Sequence, residues 1–360
     1  MASSMRWAVL LSLLAAACGS ATTPGEATDA GSPDVGSVTV DAPAATDVGG
    51  LPVDVPAAAD VPAAADVPAA RDAPTAIDVP AAVDVPPMGV DAGAPMRGHA
   101  SVIPPALRPA DAARLIVMGD SISAGTGASR RPGLAYGGLL GANDGARWPA
   151  AASLDLAARF GHAVPVVNVA VGGATTGSMR ANQPGMLRTR LSLPVRGHSV
   201  VVITIGGNDL QLAIVAGDPE GGTLTSAISN IRQTVQFLQD PANFPDGTSI
   251  YVAAVYDPSD GEGFIQGCFF NLRLPTFVTG LNTWRARYVA LGTEMGFGVI
   301  DALGHFHGHG HNFMHTANTY YDRDDATGWF SDCIHPNDRG HHELRRLFFE
   351  AIDGTYRVTP

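Results

Sequence analysis

The fold is decided by the stretch Leu115-Ile116-Val117-Met118-Gly119-Asp120-Ser121-Ile122-Ser123, in which an apolar run ends in small and polar turn residues. Four further apolar runs follow along the chain, and they are rich in β-branched residues. Nearly continuous apolar runs of this length are typical of parallel strands that helices cover on both faces. The five predicted strands are Leu115–Met118, Val164–Val169, Val200–Ile205, Ile250–Val255 and Gly298–Ile300.

Segments with helical spacing of apolar residues alternate with these strands. The predicted helices are Trp148–Phe160, Leu224–Leu238, Phe277–Met295 and Asp338–Ile352. This alternation predicts an α/β fold, a three-layer α/β/α sandwich with a five-stranded parallel sheet of the flavodoxin-like kind. Ligands of such sheets bind at the carboxyl ends of the strands, so we expect the functional residues in the loops that follow the strands.

Composition changes near residue 100, and we predict a single globular domain over residues 100–360. The whole chain has a formal net charge of −12, but most of the excess negative charge lies before residue 100. Because the domain itself is nearly neutral, it predicts no nucleic-acid partner. Residues 18–99 form an Ala/Pro/Val/Asp tract in which Asp54, Asp60 and Asp66 begin a six-residue repeat, and this composition predicts a disordered linker.

The N-terminus has the layout of a secretory signal. Arg6 precedes an apolar stretch, and three alanines precede Cys18. We predict a signal peptide over residues 1–17, a lipidated Cys18 that anchors the protein to a membrane, and a location in the outer membrane or at the surface of a bacterium. Because Leu14 lies one place too early for a typical lipobox, release as a free secreted protein remains an alternative. The apolar stretch is shorter than the roughly 20 residues of a spanning helix.

Four loops carry the residues that acyl transfer requires. Ser121 follows the first strand, Gly172-Gly173 follows the second, Asn208 follows the third, and Asp332 lies three residues before His335 ahead of the last helix. Each motif alone is ordinary turn sequence. Together they supply a nucleophile, a base, a carboxylate that orients the base, and donors for an oxyanion.

These motifs resemble the four sequence blocks of the SGNH (GDSL) hydrolase family over residues 114–350. The resemblance implies a carboxylic ester hydrolase, an esterase or lipase, that needs no cofactor or metal. It implies that Ser121 is the nucleophile, that His335 is the general base and acid, and that Asp332 orients the imidazole. It also implies an oxyanion hole made of the backbone N–H groups of Ser121 and Gly173 and the side-chain amide of Asn208. No Gly-x-Ser-x-Gly elbow surrounds Ser121, which argues against the α/β-hydrolase superfamily.

The chain has three cysteines, and lipidation of Cys18 would leave Cys268 and Cys333. In an oxidising compartment we predict a disulfide between these two, with two free buried thiols as the alternative.

Five histidines precede the Asp332 loop, and they are accompanied by aromatic residues. They allow a metal site, since imidazole is a common zinc ligand, but we favour a flexible, glycine-bearing loop at the rim of the active site. The aromatic residues form either an apolar or sugar-stacking wall or part of the core. The histidines are His305, His307, His309, His311 and His315, and the aromatic residues are Tyr320, Tyr321, Trp329 and Phe330.

Two other functions are compatible with the sequence. One is a catalytically silent surface lipoprotein that binds a ligand on a hydrolase fold, and the other is a lipoprotein that captures metal through its histidines. For the favoured enzyme the expected partner is an ester substrate, which could be an acyl lipid, an acetylated glycan or a small ester. Short-chain esters and acetylated glycans are preferred, and a monomer is the default expectation.

Overall fold

The computed structural model describes residues 103–104 and 107–355. The predicted signal peptide, the lipidation site and the linker lie outside these residues. Within them, no helix is both long and apolar enough to cross a membrane. The strands are β1 (Arg114–Gly119), β2 (Val166–Asn168), β3 (Ser199–Thr204), β4 (Thr248–Ala253) and β5 (Gly298–Ile300). The helices are α1 (Tyr136–Gly141), α2 (Leu156–Phe160), α3 (Thr176–Leu191), α4 (Gly207–Val215), α5 (Gly222–Gln239), α6 (Pro275–Met295), α7 (Ala302–Phe306) and α8 (Asp338–Asp353).

The five strands form one parallel sheet in the order β2-β1-β3-β4-β5. In register, Ile116 of β1 lies between Val167 of β2 and Val201 of β3. The strand order reverses at β1, so the chain leaves β1 and β3 on opposite sides and opens a crevice between their carboxyl ends. The predicted fold class is confirmed, and the crevice lies where the sequence analysis expects the functional loops.

Alternate residues of each strand face two separate helical layers, because successive side chains of a strand point to opposite faces. Ile116 and Met118 belong to an apolar cluster that includes Trp284 of α6 and residues of α3 and α5. Leu115 and Val117 belong to a second cluster with Phe348 of α8 and residues of α1 and α2. Both faces of the sheet are therefore covered, as the continuous apolar runs predict.

The predicted helix Trp148–Phe160 is wrong over most of its length. The structure has a 3-10 turn at Pro149–Ala151, and α2 covers only Leu156–Phe160. The helix begins there because the Asp155 carboxylate accepts a hydrogen bond of 2.7 Å from the N–H of Ala158 and caps the first turn. Apolar spacing alone did not reveal this cap.

The predicted second strand, Val164–Val169, is shortened to Val166–Asn168, since Pro165 has no N–H to donate to a sheet ladder. Helices α1, α3, α4 and α7 were not predicted. In α3 the helical spacing is obscured by Pro184 and its flanking small and polar residues, and the helix is instead marked by a capping box between Thr175 and Ser178.

Candidate active site

Ser121 is the first residue of the turn that follows β1. A buried chain of hydrogen-bonded hydroxyl groups holds this turn in place. The Asp120 carboxylate accepts a 2.9 Å hydrogen bond from the Thr204 hydroxyl, which is also 2.7 Å from the Ser123 hydroxyl. Ser123 is in turn 2.7 Å from the hydroxyl of Tyr136. Burial raises the pKa of Asp120 to about 6, although the hydrogen bond from Thr204 and the N–H of Ile122 oppose that rise. The nucleophile turn is therefore fixed by contacts to β3 and α1.

His335 connects Ser121 to Asp332. Its Nε2 lies 2.9 Å from the Ser121 hydroxyl oxygen, although the two residues are 214 positions apart in sequence. Its Nδ1 lies 2.8 and 3.0 Å from the two carboxylate oxygens of Asp332. A neutral imidazole that donates from Nδ1 to the carboxylate leaves Nε2 free to accept the proton of Ser121. This is the geometry of a nucleophile, a base and an orienting acid.

The side chain of Asp332 is half exposed, and its carboxylate remains ionised because it accepts hydrogen bonds from several donors. Partial burial by itself would raise its pKa, but the His335 ring and the backbone N–H groups of Ile334 and His335 lower the pKa to about 2. These two backbone donors lie 3.0 and 2.8 Å from the same carboxylate oxygen. The carboxylate therefore stays negative at any pH at which the fold is expected to operate.

The loop that carries His335 is packed directly against the nucleophile loop. Gly127 has a φ of +96°, and a Cβ atom at this position would collide with the carbonyl oxygen of Pro336. Next to this approach, the Asp338 carboxylate accepts 2.7 Å hydrogen bonds from both the backbone N–H and the hydroxyl of Ser129. A glycine is required here because the two backbones approach more closely than any side chain allows.

The predicted oxyanion donors lie around the same edge. The turn from Val171 to Ala174 has Gly173 at its third position with a φ of +75°, which suits glycine and distinguishes it from its neighbour Gly172. The side-chain amide of Asn208 donates a 2.9 Å hydrogen bond to the carbonyl oxygen of Ala174, directly after that turn. Among the described residues, the backbone N–H groups of Ser121 and Gly173 have no protein acceptor.

An apolar cavity of about 60 Å³ opens beside the nucleophile, and we call it the proximal cavity. Ser121, Asn208 and His335 belong to its lining, whereas Gly173 does not. Ser121, Asn208 and His335 therefore line the same cavity. Gly173 lies near Asn208, because the next residue, Ala174, accepts the hydrogen bond of the Asn208 amide. Its apolar wall includes Ile205, Leu210, Val255, Tyr256, Phe269 and Phe277.

Two buried residues that the sequence analysis did not single out hold these loops in place. The Asp209 carboxylate accepts hydrogen bonds of 2.8 and 2.7 Å from the backbone N–H and hydroxyl of Thr176, at the start of α3. The side-chain amide of Gln183 binds both the N–H and the carbonyl oxygen of Gly119, at 2.8 and 2.6 Å. Asp209 could have been suspected from its place next to Asn208, but Gln183 lies in a helix that was not predicted and carries no local signal.

Cys268 and Cys333 are joined by a disulfide, with their Cα atoms 5.8 Å apart. Cys333 lies between Asp332 and His335, and Cys268 directly precedes Phe269 of the cavity wall. The bond therefore connects the loop of the base to the wall of the proximal cavity.

The histidine-rich segment is neither a simple flexible loop nor a set of converging imidazoles. His305 lies in α7 and contacts Glu343 at 2.9 Å, whereas His307 is buried and stacks on Tyr320 at 3.8 Å between ring centres. His309 is buried and stacks on Trp329 at 3.6 Å. The expectation of a flexible loop fails because these rings are packed into the fold.

The remaining two histidines also have separate partners. His311 contacts the backbone oxygen of Asp332 at 2.9 Å and so lies at the rim of the active site, and His315 contacts Glu262 at 3.1 Å. In the described part of the chain, no group of three or more His, Cys, Asp or Glu residues is arranged to hold a metal ion. Of the four aromatic residues singled out in the sequence, Trp329 is buried in the core and Phe330 packs against it.

The family model for the GDSL-like lipase/acylhydrolase family matches residues 117–343. The chain therefore belongs to this family and is a carboxylic ester hydrolase, which confirms the resemblance and the enzyme class that the sequence motifs predict. A comparison with curated proteins found no match.

Similar solved structures are esterases and lipases of low sequence identity. The acetyl xylan esterase AlAXEase is 14% identical, with 66% of this chain and 98% of that chain covered and a TM-score of 0.43. Axe2, an acetyl xylan esterase from Geobacillus stearothermophilus, is 18% identical, with 69% and 98% covered and a TM-score of 0.42. The extracellular lipase from Streptomyces rimosus is 19% identical, with 68% and 100% covered and a TM-score of 0.39. Similarity at this level carries no argument about the substrate.

Proposed function

We propose that the protein is an extracytoplasmic serine ester hydrolase whose triad is Ser121, His335 and Asp332. The observation that carries the proposal is the continuous set of contacts from the Ser121 hydroxyl through the His335 ring to the Asp332 carboxylate. A serine hydroxyl is a weak nucleophile until a base removes its proton, and His335 is within hydrogen-bond reach of that proton.

The reaction begins when the Ser121 oxygen attacks the ester carbonyl carbon while its proton passes to Nε2 of His335. The negative charge that develops on the carbonyl oxygen is stabilised by the N–H groups of Ser121 and Gly173 and by the Asn208 amide. His335 then protonates the departing alcohol, and the acyl group remains on Ser121. In the second half of the reaction a water molecule attacks the acyl carbon while its proton passes to His335. The bond between the acyl carbon and the Ser121 oxygen then breaks, the acid leaves, and His335 returns the proton to Ser121. Asp332 stabilises the imidazolium in both halves.

The location of the enzyme is part of the proposal. The N-terminal sequence supports export, a lipid anchor at Cys18 and a disordered linker that holds the domain away from a membrane. An anchored hydrolase of this kind would act on esters outside the cytoplasm. Radiolabelled palmitate incorporated into the wild-type chain, and not into a Cys18→Ala variant, tests the anchor, and label retained in the variant would contradict it.

The triad is tested by the hydrolysis of p-nitrophenyl acetate, butyrate and octanoate by the full chain. We expect Ser121→Ala to lower kcat by several orders of magnitude, because removal of the nucleophile leaves only the binding and oxyanion contributions. Ser226→Ala is the matched control, since this serine is exposed on α5 and lies outside the active-site loops. Turnover by Ser121→Ala within a few-fold of the wild type would rule out this assignment, and a wild type that hydrolyses no ester would favour a binding function.

A further inference from the structure

A second apolar cavity lies beyond the proximal cavity, as seen from Ser121, and we call it the distal cavity. It has a volume of about 60 Å³ and is formed by Ile214, Ile265 and Leu274 together with residues that also line the proximal cavity. The shared residues are Gln211, Phe269 and Phe277. The two cavities are therefore neighbours. Gln211, Phe269 and Phe277 border both of them, and we call these three residues the partition.

The distal cavity offers almost nothing to a polar ligand. Two of its wall residues have polar side chains, Gln211 at the border with the proximal cavity and Ser259. The Ser259 hydroxyl is occupied, since it donates to the Asp257 carboxylate at 2.6 Å and accepts from the N–H of Gly263 at 2.9 Å. A water molecule needs two or more polar partners to be retained in a buried site. A space of this character favours an apolar group over water or a sugar hydroxyl.

The backbone of the partition is tied to the loop of His335, whereas its two phenylalanine rings belong to separate elements. Phe269 follows Cys268, which is bonded to Cys333 in the loop of His335. Phe269 also has a φ of +48°, a backbone conformation that a bulky side chain rarely adopts. Phe277 lies in the first turn of α6, on an element separate from that of Phe269. A partition built from two separate elements can widen when one of the rings changes its rotamer.

We propose that the acyl chain of the ester extends from Ser121 through the proximal cavity, past Phe269 and Phe277, and into the distal cavity. The enzyme would then prefer esters of unbranched, medium-length fatty acids over acetyl esters, which differs from the short-chain preference of the sequence analysis. The inference rests on the proposed function, because the acyl chain reaches the distal cavity only when its carbonyl carbon is at Ser121.

The inference is tested by filling the distal cavity from its far side. Ile214 lies on α4 and contributes to the distal cavity only, whereas Leu212 on the same helix is 47% exposed. In the wild type, kcat/KM for p-nitrophenyl octanoate should exceed that for the acetate. Ile214→Phe should lower kcat/KM for the octanoate by about tenfold or more, the effect of mismatching apolar volume in a pocket, and leave that for the acetate nearly unchanged. Leu212→Phe is the control and should change neither.

Retained turnover of the acetate shows that Ile214→Phe is folded and that its triad is intact, so a loss confined to the octanoate reports on the distal cavity. Ile265→Phe fills the same cavity from a different loop and should give the same selectivity. The inference is overturned if both variants hydrolyse the octanoate as the wild type does, or if the wild type turns over the acetate and not the octanoate. In either case the serine esterase itself would stand. Its own failure would appear as activity that survives Ser121→Ala.

Discussion

At the scale of single residues, the proposed function gives Asn208 an oxyanion contact in addition to its structural one. An asparagine amide has two N–H donors, and one of them is used by the carbonyl oxygen of Ala174 at 2.9 Å. The other is available to a developing oxyanion in the proximal cavity, which Asn208 lines together with Ser121. Because such a donor acts mainly in the transition state, its removal should affect kcat more than KM.

Asn208→Ala should therefore lower kcat by about 10²–10³-fold, the typical effect of removing one oxyanion donor. Steady-state kinetics on p-nitrophenyl butyrate would measure the change, and thermal unfolding would show how much the lost contact to Ala174 matters for stability. Asn282→Ala, on the exposed side of α6, is the control and should behave as the wild type. A kcat within a few-fold of the wild type would remove Asn208 from the oxyanion hole.

At the scale of elements, α3 ties the oxyanion turn to the nucleophile turn. Its first residue is held by Asp209, and Gln183 near its middle binds both main-chain groups of Gly119. Gly119 is the last residue of β1 and lies beyond the end of its pairing with β2. The carbonyl oxygen of Gly119 also accepts a 3.1 Å hydrogen bond from the N–H of Val171, just after β2, so it is the N–H of Gly119 for which Gln183 supplies the acceptor that β2 does not provide.

Gln183→Met keeps the side chain at a similar size but leaves the N–H of Gly119 without its buried acceptor. We expect a loss of roughly 1–3 kcal/mol in the free energy of unfolding, the cost of an unsatisfied buried donor. We also expect a fall in kcat with little change in KM, since Ser121 lies two residues from Gly119. Gln239→Met removes an exposed amide at the end of α5 and serves as the control. An unfolding free energy and a kcat that both match the control would show that Gln183 does not position the nucleophile turn.

At the scale of the whole molecule, the disulfide between Cys268 and Cys333 closes a long segment of chain whose two ends lie at the active site. The two cysteines are 65 residues apart, and the enclosed segment contains α6, β5 and α7. In the chain-entropy account, a bridge across a loop of this length contributes roughly 4 kcal/mol to stability by restricting the unfolded chain.

Reduction with dithiothreitol should therefore lower the melting temperature of the oxidised protein by several degrees. The double variant Cys268→Ser with Cys333→Ser should melt at the temperature of the reduced wild type and should not respond to the reductant. A wild-type melting temperature that is insensitive to reduction would indicate that the bridge adds no stability. Because the bridge also joins the Asp332–His335 loop to Phe269, kinetic assays on the same samples would show whether the active site depends on it.

The sequence alone determined the layer architecture and most of the candidate site. Apolar runs and helical spacing are local properties, so they predict the strands and the helices α5, α6 and α8 to within a few residues. The order of the motifs around Ser121, Asn208 and His335 predicts one edge of the sheet because parallel strands end together there. Where local signals compete, the sequence is misleading: α3 was missed in the residues around Pro184, and the helix capped by Asp155 was predicted too long. The short helices α1, α4 and α7 were also missed.

Only the tertiary structure decided which of these residues touch. The 2.9 Å contact between Ser121 and His335 and the hydrogen bonds of Gln183 to Gly119 join positions that are far apart in sequence. The same is true of the partition, in which Gln211 lies beside Phe269 and Phe277. Such contacts depend on how the helices pack on the sheet, so no local sequence pattern predicts them. The histidines show the same limit, because their alternation in sequence suggests one common face while packing directs each ring to a separate partner.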